Sequence, residues 1–88
     1  MSKVTEFTNE NFRVLAFLYD NKTKGNEIKF TQQEIGDELS ISRVTINKIF
    51  KKFKSNGYIT QDKSRIGRYH LTEKGMSIVE TIRKVDEI

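Results

Sequence analysis

The sequence predicts a mainly α domain with a small β-hairpin, in the order α-β-α-α-β-β-α. Three observations carry this. Residues 31–57, TQQEIGDELSISRVTINKIFKKFKSNG, hold two helical patterns separated by a three-residue turn. Residues 58–71 contain two short strand-like runs around a polar loop, and helical patterns flank this centre on both sides. With 88 residues and no cysteine, the chain forms one small domain whose modest core must hold it together without disulfides or thiolate metal sites.

At the N-terminal end, Thr8 or Asn9 can cap a first helix in which Phe12, Leu15, Ala16, Leu18 and Tyr19 recur at helical spacing, with Phe17 near the edge of that stripe. The polar run DNKTKGN ends it, Gly25 permitting a turn, and Glu27–Phe30 has the character of a short strand. Thr31 caps the next helix, with Glu34 at capping-box spacing. Ile35 and Leu39 form its apolar pair. Gly36 weakens that helix by roughly 1 kcal/mol relative to Ala, which predicts a close crossing by the next helix. Ser40, Ile41 and Ser42 make the turn, with Ile41 as a plug beneath it.

Ser42 caps the second helix of this central pair, which starts at Arg43. Ile46, Ile49, Phe50 and Phe53 stand at i, i+3, i+4 and i+7 and so form one stripe facing a core. Geometry then assigns Val44, Asn47, Lys48 and Lys51 to the opposite side, with Arg43, Thr45 and Lys52 on its flanks. No acid stands among them, whereas a solvated helix face ordinarily mixes signs. Gly57 terminates this helix as a C-cap with positive φ. Tyr58–Gln61 and Arg68–Leu71 read as strands, with Ile59, Tyr69 and Leu71 on the inner face. His70 alternates outward with Arg68 and has no second ligand at metal spacing. Thr72 caps a last helix with Met76, Val79 and Ile82 on its apolar stripe, while Ile78 and Val85 lie off it.

The formal charge of +4 is mild, but its distribution is not. Residues 43–68 hold eight cations against Asp62, 8 − 1 = +7, and the remainder holds eight cations and eleven acids, 8 − 11 = −3. The positive side thus coincides with the second helix of the central pair and the hairpin after it. An enzyme is not expected. No phosphate-cradling glycine loop, no Ser/His/Asp or Cys/His set and no carboxylate pair beside a histidine is found, and no cofactor is implied. The opening MSKVTEF has no long apolar run and no cleavage signature, so the expected location is the cytoplasm.

Two helices with a tight turn and a cationic second helix have the layout of a DNA-reading helix-turn-helix. TQQEIGDELSISRVTINKIFKKFKSNGYI resembles that of winged-helix bacterial transcription regulators, of the catabolite-activator type and also similar to the multiple-antibiotic-resistance regulators. The matching pattern spans roughly residues 27–75 and includes T-x-Q-E-I-G, I-S-R-x-T-I and the exit G-Y-I. The resemblance implies a winged helix-turn-helix: helix-turn-helix 31–57, wing 58–71 and C-terminal helix 72–88. It implies that Arg43, Val44 and Lys48 face base edges and that Thr31, Gln32 and Thr45 touch phosphates. Ser42, Asn47, Lys51 and Lys52 complete the expected DNA surface. Arg65 and Arg68 of the wing are expected at phosphates or the minor groove. Two departures stand out: Ser40 where glycine is usual in the turn, and Val44 in place of a polar reader.

The expected function is sequence-specific binding of double-stranded DNA by a transcriptional regulator, a repressor in preference to an activator. The resemblance tilts towards a homodimer made by the terminal helices. Two alternatives keep the fold: a module that docks an acidic protein partner, and a plasmid or phage replication or partition protein.

Overall fold

The structure, a computed structural model, describes residues 10–62 and 68–86. Its elements are α1 (Glu10–Asp20), β1 (Glu27–Ile28), α2 (Gln32–Leu39), α3 (Arg43–Asn56), β2 (Ile59–Gln61), β3 (Tyr69–Leu71) and α4 (Glu73–Asp86), the order the sequence predicts. The sheet is antiparallel with β3 in the middle, β1-β3-β2. Ile59 stands opposite Leu71, and both Gln61 and Ile28 stand opposite Tyr69. That register gathers Ile28, Ile59, Tyr69 and Leu71 on the face turned to the helices and puts Glu27, Thr60 and His70 on the other.

One core unites the elements. Leu15 and Leu18 of α1, Ile35 of α2, Ile46, Ile49, Phe50 and Phe53 of α3, Ile59 and Leu71 of the hairpin and Val79 of α4 are all buried. Phe50 meets the Tyr69 ring edge-on at 5.0 Å. The α3 stripe therefore lies inward as its spacing predicts, each side chain stabilising by roughly 1.5–3 kcal/mol on burial.

Caps fix the ends of the central helices. Thr31 Oγ1 accepts from the Glu34 amide at 3.1 Å while Glu34 Oε1 accepts from the Thr31 amide at 2.8 Å, closing the capping box. Ser42 Oγ accepts from the Thr45 amide at 3.2 Å, so α3 begins at Arg43. Gly57 ends it at φ 78°. In the intervening turn Ser40 takes the left-handed conformation, φ 58° and ψ 43°, doing what a glycine does in that position. Its amide donates to the Gly36 carbonyl, and Ile41 is buried beneath the turn.

Several details differ from expectation. A Cβ on Gly36 would lie 2.6 Å from the Ile41 carbonyl oxygen, so the turn itself, more than the body of α3, claims that space. Leu39 is only half-buried, since Ile41 fills the core beside it. The left-handed residue in the turn after α1 is Asn26, φ 63°, and not Gly25; Asn adopts this conformation more readily than most residues. β1 stops at Ile28 because β3 begins opposite it, and Phe30 turns to pack edge-on against Phe17 at 5.1 Å. On α1 the wholly buried residues include Val14, outside the expected stripe, because α1 is covered by α4 on one side and by α2 and α3 on another. Phe12 and Tyr19 are half-buried. The expected caps Thr8 and Asn9 lie outside the described residues.

α4 docks through its first turn and its far end. Thr72 Oγ1 accepts from the Gly75 amide at 3.1 Å and sits 2.6 Å from the Gly57 carbonyl. Lys74 Nζ donates to the Asn56 carbonyl at 2.9 Å, a cation at the negative end of α3. Val79 and Ile82 are buried and Met76 half-buried. Further along, Arg83 donates two hydrogen bonds of 2.8 Å to the Asp20 carboxylate, and the Tyr19 hydroxyl donates to Glu80 at 2.7 Å. The Arg83 guanidinium holds the Asp20 carboxyl below its ordinary value. Because that folded-state pKa is depressed, the pair's contribution is present above the unfolded carboxylate value and is lost as pH falls through the folded one.

Two substitutions test this packing. Gly36→Ala gains up to about 1 kcal/mol of helix propensity but forces a methyl against a backbone oxygen, at a cost of about 1–3 kcal/mol. The urea midpoint is expected to fall, and a raised midpoint would show that the turn can yield. Asp20→Asn is expected to lower stability near neutral pH by less than about 1 kcal/mol, since both partners are close to half exposed. In thermal melts the gap between variant and parent should close as pH drops below about 4; a gap independent of pH would remove the ion pair as its cause.

Candidate nucleic-acid interface

With Ile46, Ile49, Phe50 and Phe53 turned inward, the rest of α3 has no freedom of placement. Arg43, Val44, Asn47, Lys48, Lys51 and Lys52 all lie exposed on its outer side. Val44 is the notable one, 67% exposed despite being aliphatic. Among the described residues no carboxylate forms an ion pair with Arg43, Lys48, Lys51 or Lys52.

Thr31 is exposed at the N-terminus of α2, and Gln32 beside it is half-buried. These two residues border a groove with Gln33, Arg43, Asn47 and Tyr69, so the start of α2, the start of α3 and the central strand meet there. Asn47 Nδ2 donates to Gln32 Oε1 at 3.2 Å, a side-chain bond joining the two helices across the surface. Thr45 is half-buried, and its hydroxyl accepts from that of Ser42 at 2.9 Å. Ser42 and Thr45 are thus occupied in part with holding the start of α3. On the far flank Thr45, Lys48 and Lys52 border a second depression with Glu10 and Asn11 of α1.

The wing gives a different result for its two arginines. Arg68 is half-buried and forms an ion pair with Glu27 of β1, so its charge is already matched within the sheet. Strand alternation predicts an outward Arg68, and the residue does lie on that face, but β1 runs beside it there and supplies an acid. Arg65 lies outside the described residues. Lys54, another cation of α3, donates to Gln61 of β2 at 3.0 Å and ties the helix to the hairpin.

Sequence reasoning misses two contributors. Alternation with Leu71 assigns Tyr69 to the core; its ring does rest on Phe50, yet it also borders the groove beside Arg43 and Asn47. Its position at the start of β3, away from the middle of the sheet, is the available signal. The Gln32–Asn47 bond is the second, and no pattern within either helix announces it, because the partners are fifteen residues apart.

A helical core, a helix-turn-helix with an open cationic second helix and a three-stranded wing sheet together define a winged helix-turn-helix domain. The model of the Crp-like helix-turn-helix domain matches residues 12–72, and the chain belongs to that family. Among solved structures it is similar to MepR, a transcription regulator of the Staphylococcus aureus multidrug efflux pump MepA. The TM-score is 0.77 at 25% identity, covering 98% of this chain and 64% of that one. The S. aureus MepR–DNA complex gives a TM-score of 0.73 at 24% identity over 98% of this chain and 71% of that one. A MarR-family protein of Mycobacterium tuberculosis shares the fold alone, with a TM-score of 0.67, 16% identity, and coverage of 85% of this chain and 50% of that one. A riboflavin kinase of Pyrococcus abyssi is 37% identical over 59 residues, 66% of this chain but 28% of the kinase. The chain therefore spans under a third of that curated relative and just under two thirds of MepR. Among the described residues no helix is long and apolar enough to cross a membrane.

Proposed function

We propose that this domain binds double-stranded DNA in a sequence-specific manner and acts as a transcriptional regulator, as a repressor in preference to an activator. The observation that carries the reading is the outer face of α3, where four cations stand open beside Val44 and Asn47 with no acid paired to them among the described residues. An α-helix of this width fits the major groove. Arg43 and Lys48 reach base acceptors, guanine being their commonest target, and Val44 packs against a thymine methyl. Thr31, Thr45, Lys51 and Lys52 set the register through phosphates, contacts that position without specifying, while Gln32, expected among them, accepts a hydrogen bond from Asn47. Tyr69 borders the same groove on its wing side. Arg68, matched by Glu27, is left out of this set, and Arg65 stays a wing candidate from its sequence position alone.

The likeness to MepR, whose complex with DNA has been solved, supports the same reading. The riboflavin kinase likeness is confined to a small share of that enzyme, and its activity is not carried over, since the residues assembled here make a binding surface. Two copies make the functional unit in this proposal, joined through the terminal helices. Val85 of α4, 45% exposed, and the half-buried Ile78 supply apolar surface for that contact. Two α3 helices then enter successive major grooves about 34 Å apart, which favours a palindromic site.

The test is the salt dependence of binding to a duplex selected from a random pool. Lys51 and Lys52 at phosphates give a slope of log K against log salt near −1.8 for each bound domain, about −0.9 for each phosphate neutralised. Lys51→Ala is expected to weaken binding and flatten that slope by about 0.9. Affinity that does not change with salt would contradict the proposal, and binding of an acidic protein in place of any duplex would move the same face to a protein-docking role.

A further inference from the structure

Resting on the DNA-binding reading above, the Gln32–Asn47 bond carries a more specific consequence. Asn47 lies on the open face of α3, one turn beyond Val44 and four residues beyond Arg43, where the helix surface is aimed outward. Its side-chain amide has two N–H donors and one carbonyl acceptor. One donor is taken by Gln32 Oε1 at 3.2 Å. What remains is one donor beside one acceptor. Gln32 is itself half-buried at the first position of α2, behind a closed capping box, so its own side chain starts from a fixed backbone.

A donor adjacent to an acceptor is selective in the major groove. Adenine presents an N7 acceptor next to an N6 donor, which matches both remaining groups of Asn47. Guanine presents two acceptors there, N7 and O6, so the Asn47 carbonyl would face an oxygen. Thymine offers the O4 acceptor and a methyl, and cytosine a single donor, so each satisfies only half of the amide. A shallow depression bordered by Arg43, Val44 and Asn47 lies directly alongside. It gives Val44 room to meet a thymine methyl on a neighbouring base pair.

We infer that Asn47 reads an adenine through its N6 and N7 edge, and that Gln32 is a positioning residue that holds the Asn47 amide in the reading orientation. The family resemblance assigns Gln32 to a phosphate; here it acts through Asn47. The two roles differ in what they do to selectivity. Loss of a phosphate contact weakens binding to every sequence alike, whereas loss of an orienting bond weakens discrimination at one base pair.

The experiment uses the whole chain and its selected duplex, substituted one adenine at a time with 7-deazaadenine, which lacks the N7 acceptor, or with purine, which lacks the N6 amino group. Parent protein is expected to lose about 2- to 12-fold in affinity at one adenine per half-site with either analogue, since each removes one of the two bonds of a bidentate pair. Asn47→Ala should bind all these duplexes equally at that position. Gln32→Leu should show a reduced preference there while retaining its salt slope. Gln32→Glu, which still accepts from Asn47, should keep the preference. Base analogues act on the unaltered protein, so a variant that fails to fold leaves the result intact. A parent that binds tightly with no analogue-sensitive adenine, or a Gln32→Leu that weakens all duplexes uniformly, overturns the inference while leaving DNA binding in place. A parent that binds no duplex overturns the functional reading and the inference together.

Discussion

The contact between the Ile41 carbonyl and Gly36 sets the geometry on which everything else rests. A side chain at position 36 would occupy the space that the turn's backbone fills. With the turn tucked there and Ile41 buried beneath it, α3 can leave α2 in one direction only. Ser40 makes this possible by accepting a left-handed backbone, and Ser42 by capping the new helix at once. The cost of Ser40's conformation, about 1–2 kcal/mol for a residue with a Cβ, is offset by the burial that the turn permits.

From that placement the electrostatics come directly. The four apolar side chains on one side of α3 take up the hydrophobic face, and the cations have nowhere to go but outward. What keeps them available is the distribution of acids. Glu34 closes a capping box, Asp20 binds Arg83, Glu80 accepts from Tyr19 and Glu27 holds Arg68. These carboxylates are occupied at helix ends, in the α1–α4 contact and at the sheet edge, away from α3. The domain thus commits these acids to its architecture and leaves Arg43, Lys48, Lys51 and Lys52 exposed along one side of α3.

Most of the fold is legible in the sequence because its signals are local. Thr31 with Glu34, Ser42 before a 3.6-residue stripe, and Gly57 after it each describe a helix end within four residues, and each stands where the sequence puts it. The exposed face of α3 is legible for the same reason, as the complement of its buried stripe. Relations between distant segments are not. Glu27 and Arg68 are 41 residues apart, and only the β1–β3 pairing reveals that this wing arginine is matched. Gln32 and Asn47 meet because two helices cross. Tyr69 serves core and surface together because it lies where the sheet ends beside α3. Gly36 announces a close approach, and only tertiary structure shows that the turn makes it.

The central claim is that the outer face of α3 meets the duplex. Amide chemical-shift mapping of the labelled protein during titration with its selected duplex tests this directly. Perturbations concentrated at residues 31–33 and 43–52, with α4 beyond Val79 little changed, are the predicted result. Shifts confined to α1 and α4 with α3 silent would contradict it.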